Sequence, residues 1–87
     1  MLDTDLESDA YTAAIAAELK AERAATGIRN EAIAKAAGIS PRQIIRIFNG
    51  ERAVSFKDTI MICAALGLGM HEFLERVEMR VEKQRQL

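Results

Sequence analysis

The chain has 87 residues, 49% of them hydrophobic and 29% charged, and a net charge of −1. This describes one small domain near the lower limit for a chain that folds on its own core; it excludes a disordered chain, and no run is long enough to span a membrane. A single cysteine, Cys63, excludes an internal disulfide, and the opening MLDTDLESD carries acids and no base, unlike a signal or transit peptide, so the expected location is the cytoplasm. A fold this small without disulfides is expected to draw part of its stability from oligomerisation.

The near-zero net charge conceals an asymmetry. Residues 1–19 hold five acids and no base, residues 20–57 hold eight bases and three acids, and residues 58–87 hold five acids and four bases. A basic middle between acidic flanks fits a polyanion site formed by one surface. Charge alone fits equally well with lysines and arginines spread around solvated helices.

In chain order, the pattern predicts helices and no strands, because period-two alternation is missing and alanine is abundant. Thr4-x-x-Glu7 has the form of a capping box, and the first helix continues to Thr26-Gly27 with Tyr11, Ile15 and Leu19 as an apolar stripe. A second helix runs from about Asn30 to Ala37 and is closed by Gly38. A third opens on Ser40 as cap with Pro41 at the first helical position, and ends near Phe48 before Asn49-Gly50. Ser55 and Asp58 cap a fourth helix, which Gly67 closes. A fifth begins near Met70 and extends almost to Leu87. The expected fold is all-α, a compact five-helix bundle forming a single domain over residues 1–87.

Residues 30–49, NEAIAKAAGISPRQIIRIFN, form the informative unit. Ile33, Ala34 and Ala37 share one helix face, Gly38 can adopt the left-handed turn, and Ile39 fills the angle. Ile44 and Ile47 form the inner face of the third helix. On a helical wheel Arg42, Arg46 and Asn49 lie within about 60° of one another on the opposite side. Isoleucines seat this helix, and arginines face a polyanion.

These residues resemble the helix-turn-helix of the phage lambda repressor-like family, of the Cro/Xre type. The resemblance covers about residues 10–74. It rests on Ala34, Gly38, Ile39, Ser40, Ile44 and Ile47 at family spacing, on IFNGER closing the third helix, and on VSFKDTIMICAALGLGMHEFL for the fourth and fifth. It implies a compact five-helix DNA-binding domain with its helix-turn-helix at 30–49. Its third helix should enter the major groove of double-stranded DNA, its second should cross the backbone, and homodimers should bind pseudo-palindromic half-sites about 34–36 Å apart. The sequence departs from the family where Ser/Thr-Gln usually opens the second helix; here Arg29-Asn30 stands, and asparagine reaches less far to a phosphate. Gly69 also replaces the usual serine before the fifth helix, and the acidic start is unlike a DNA-wrapping basic arm.

Under that docking, Arg42 and Arg46 are the expected base readers through two parallel donors to guanine, with phosphate gripping as the alternative. Gln43 can pair with adenine from the edge of the face. Ile45 fits a thymine methyl or packs against the loop after the third helix. Arg52 is placed beside the groove, for base or phosphate. Asn49, Arg29 and Asn30 are expected on phosphates. Lys35 and Lys57 are more simply read as solvated, as outer phosphate contacts otherwise.

His71 and Cys63 have no partners at metal-ligand spacing, so no zinc site or other cofactor is expected, and no catalytic set is present. Cys63, Met61 and Met70 read as core fillers. Residues 75–87, ERVEMRVEKQRQL, extend the fifth helix. Leu74, Val77 and Val81 repeat at three- and four-residue spacing, Glu72→Arg76 attracts, and Arg76→Arg80 and Glu78→Glu82 repel. The stripe is read first as a dimerisation seam and otherwise as a fold-back onto the alanine face of the first helix.

The expected function is a sequence-specific transcriptional regulator, a phage or bacterial repressor that occludes promoters, and not an enzyme. The alternatives are an autoregulating antitoxin, whose acidic start or tail holds a toxin, and a protein-interaction module that keeps the fold without binding DNA.

Overall fold

In the computed structural model, which describes the backbone of residues 2–86 and the side chains of residues 9–86, every regular element is a helix. They are α1 (Leu2–Thr26), α2 (Asn30–Ala37), α3 (Pro41–Phe48), α4 (Phe56–Ala65) and α5 (Met70–Arg85). The side chains of the Thr4–Glu7 capping box lie outside the described residues.

At 25 residues, α1 should be about 37 Å long, which matches the longest dimension of the molecule, 38 Å against 21 and 19 Å. It is the spine on which the rest is assembled. α1 packs mainly on α5 and also on α3, while α2 packs on α3 and α4. The core at their junction contains Leu19, Ile33, Ala34, Ile44, Ile47, Ile62, Cys63, Phe73, Val77 and Val81. Burial places the Cys63 thiol in this apolar volume and, with the nearby Glu22 carboxylate, pushes its pKa up to about 11.

The α1–α5 seam corrects the pairing expected of the tail. Val77 and Val81 are 2% and 1% exposed, inside the monomer, so neither is a surface on which a second copy can pair. Only Leu74 of that stripe remains outside, at 51%. The reason is on α1, where a buried glutamate, Glu18, anchors the tail through charge. Arg80 Nε donates to Glu18 Oε1 at 2.7 Å, and Arg76 lies 3.8 Å from Glu18 Oε2. Arg76 also bonds Glu22 and, one turn back on its own helix, Glu72 at 3.2 Å. Partial desolvation works against the Arg76 charge, but Glu22, Glu72 and Glu18 more than offset it and raise its pKa. Arg76 and Arg80, a repulsive pair on an isolated helix, are thus held side by side by carboxylates from α1. Tyr11 Oη closes the other flank by donating to Glu78 Oε1 at 2.6 Å.

Two further expectations divide. Met70 packs against the core, but Met61 is 37% exposed and fills no gap.

Because the valines are core residues, Val77→Asp combined with Val81→Asp should unfold the monomer by burying unpaired charge. Circular dichroism is expected to show loss of helix at room temperature; a folded monomer would return the valines to the surface.

Candidate nucleic-acid interface

α2 and α3 are eight residues each, too short to hold a helical shape in isolation. Their geometry comes from backbone closures at their ends. Gly38 takes φ +72°, ψ +29°, and Ile39 N–H then donates back to Ala34 O at 3.0 Å. This left-handed reversal aims the chain into α3 at the angle a helix-turn-helix requires. Ser40 starts α3 by accepting from Gln43 N–H at 3.2 Å, with Pro41 at the first helical position. At the far end Gly50, at φ +74°, donates to Ile47 O, and Glu51 N–H donates to Arg46 O at 2.9 Å. That closure fixes the direction in which the chain leaves α3 toward Arg52.

The two faces of α3 are sharply divided. Ile44, Ile47 and Phe48 are 0%, 1% and 6% exposed. Arg42, Arg46 and Asn49 are exposed on the other side, as is Ile45. Arg29, before α2, and Arg52, after α3, are exposed as well. Asn30 and Gln43 are half-buried, and the carbonyl oxygens of both side chains are enclosed and accept no hydrogen bond. An inward-turned carbonyl leaves the amide nitrogen of each side chain as its available donor.

Charge sharpens the picture. Among the described residues, none of Arg29, Arg42, Arg46 and Arg52 forms an ion pair within the protein, whereas Arg76 and Arg80 on α5 are both paired. Arg42 and Arg46 thus stand as exposed, unpaired charges on a helix whose reverse face is buried. Groups of that kind are matched to phosphates and to guanine edges. No group of three or more His, Cys, Asp or Glu among the described residues is arranged to hold a metal ion. No helix of the described residues is long and apolar enough to cross a membrane.

A helix-turn-helix family profile matches residues 19–73, spanning all of α2, α3 and α4. The chain belongs to this family, the lambda repressor-like helix-turn-helix proteins, and with it to the DNA-binding transcriptional regulators. Among solved structures, the clp gene regulator ClgR from Corynebacterium glutamicum is similar, with a TM-score of 0.79 and 25% sequence identity over 87% of this chain and 81% of that one. No match is found among curated protein sequences. The family match ends at residue 73, so the Glu18–Arg76–Arg80 anchor and the last three turns of α5 lie outside it.

The sequence reading placed the expected contact residues on this side but missed the outward apolar face of α4, where Phe56 is 74% exposed. Its signal was present in residues 60–65, a run within the fourth helix that holds no polar or charged side chain apart from the thiol of Cys63.

Gly38→Ala is expected to cost about 1–2 kcal/mol from backbone conformation alone, because no atom lies within 4 Å of an added Cβ. A chemical denaturation midpoint unchanged by this substitution would mean that the turn does not depend on the left-handed conformation.

Proposed function

We propose that this chain is a sequence-specific regulator that binds a pseudo-palindromic operator as a homodimer and represses by covering promoter DNA. The observation that carries the reading is α3 itself: an eight-residue helix with one face of buried isoleucine and the other of unpaired arginine. Occlusion is the mode of action in this reading, because a domain seated in the major groove covers the DNA beneath it. The likeness to ClgR, titled a gene regulator, supports regulation as the purpose of binding.

In this reading Arg42 and Arg46 donate in pairs to guanine O6 and N7 as α3 lies in the major groove. Ile45, 45% exposed on a face otherwise polar, meets a thymine methyl. Arg52 enters beside the groove from the loop after α3. Asn49, Arg29 and Asn30 grip phosphate, and the N-terminal amides of α2 add to that grip. Gln43 supplies its amide nitrogen from the edge of the face, a weaker reader than the arginines because its other end is enclosed.

Binding should weaken steeply with salt. With four to six phosphate contacts per monomer, log affinity is expected to fall against log salt with a slope of about −7 to −11 for a dimer. A slope near zero across ordinary buffers removes the DNA-binding function and leaves a protein-interaction module.

Arg42→Ala and Arg46→Ala should each cost about 1–3 kcal/mol per half-site on duplex selected from a random pool, and almost nothing on duplex altered at the contacted base pair. Arg29→Ala should weaken all duplexes alike and make the salt slope shallower by about one per half-site. Quantitative gel shifts with folded variants decide this. Equal losses on matched and altered DNA for both α3 variants would make these arginines phosphate clamps.

A further inference from the structure

We propose that two copies of this chain pair through the outer face of α4, in an antiparallel contact centred on Ile60. The inference rests on the dimeric reading above and gives it a surface, replacing the valine seam that the monomer encloses.

The inner face of α4 is settled: Thr59, Ile62 and Cys63 are buried against the core. The remaining face is solvent-exposed without being polar. Phe56 is 74% exposed and Ile60 and Met61 are each 37% exposed, with Lys57 and Ala64 exposed beside them. These five positions fall within an arc of about 140° on the helix, and Lys57 is its only charge. Exposed apolar side chains gathered on one arc mark a contact surface, and here that arc is about two-fifths of the circumference.

The order of residues along that face selects the occupant. Phe56, Ile60 and Ala64 recur at four-residue spacing, large at one end and small at the other. In a twofold antiparallel pair, Phe56 of one copy lies over Ala64 of the other while the two Ile60 side chains meet on the axis. A symmetric contact of this kind needs a patch complementary to itself, and this one is. The rival apolar strip is on α5, where Leu74 and Met79 are 51% and 70% exposed. It runs beside Glu72, Glu75 and Glu78 and beside Arg76, whose charge Glu18, Glu22 and Glu72 already hold, so a twofold pairing there would bring excess negative charge together.

Position also favours α4. It begins directly after the loop that carries Arg52, so a pair formed here continues the arginine-bearing surface across the axis. Half-sites about 34–36 Å apart require each α3 to lie about 17 Å from that axis, within the reach of a domain 21 Å across.

Light scattering over a concentration series tests this directly. Free wild-type protein should reach twice the 9.6 kDa chain mass. Phe56→Ser combined with Ile60→Ser should remain monomeric at the same concentrations with unchanged helix content, while Leu74→Ser combined with Met79→Ser should still pair. Ile60→Cys gives a second measure, because the native Cys63 is buried and its thiol stays protonated. Mild oxidation should link the Ile60→Cys chains two by two and leave wild type unlinked. A wild type that is monomeric throughout, or a dimer that survives the α4 substitutions, overturns the proposal. A dimer that the α4 variant loses, together with no wild-type shift of random-sequence duplex, upholds the pairing and removes the DNA-binding function instead.

Discussion

The buried carboxylate of Glu18, held between Arg76 and Arg80, is the interaction on which the remainder of the architecture depends. It is 4% exposed, and a charge that deep is tolerable only with its partners in place. Removing one partner from such a cluster leaves an uncompensated buried charge, which costs more than the pair contributes. Around it the apolar surfaces close: Leu19 from α1 and Phe73, Val77 and Val81 from α5 all lie at or below 2% exposure. The ion pairs fix the register of α5 against α1, and the valines supply the burial that makes that register favourable.

The interface inherits its rigidity from this seam. α3 has no stability of its own, and Ile44, Ile47 and Phe48 seat it in a core that α1 helps to close. With the core fixed, the capping hydroxyl of Ser40 and the glycine closures on either side leave little freedom in the direction of Arg42 and Arg46. Preorganisation of this sort favours specific contact, since little ordering remains to be done on binding.

The same seam sorts the charges. Arg76 and Arg80 are neutralised internally by the acids of α1, while Arg29, Arg42, Arg46 and Arg52 stay exposed and form no ion pair among the described residues. An overall acidic protein therefore presents a locally basic face, and its acidic remainder discourages nonspecific attachment to a polyanion by other surfaces. Where the chain is neither charged nor covered, on the outside of α4, the structure leaves apolar area for a protein contact next to the nucleic-acid contact.

Local chemistry made the helices and the helix-turn-helix legible in the sequence alone. Ser40-Pro41, Ser55 with Asp58, and Gly38, Gly50 and Gly67 mark starts and stops through hydrogen bonds that span only a few residues, and α3, α4 and the end of α2 fall where those signals place them. The two-faced spacing of Ile44 and Ile47 against Arg42 and Arg46 was equally visible, because a helix repeats within its own length. What the sequence left open were contacts across long separations. Periodicity shows that Val77 and Val81 form an apolar stripe but not what covers it, and the choice between a second copy and α1 was made by Glu18 and Glu22, more than fifty residues away. Met61 and Phe56 carry the same lesson, since hydrophobicity marks a preference for burial and only the packing of α2 and α5 around α4 decides which apolar residues obtain it.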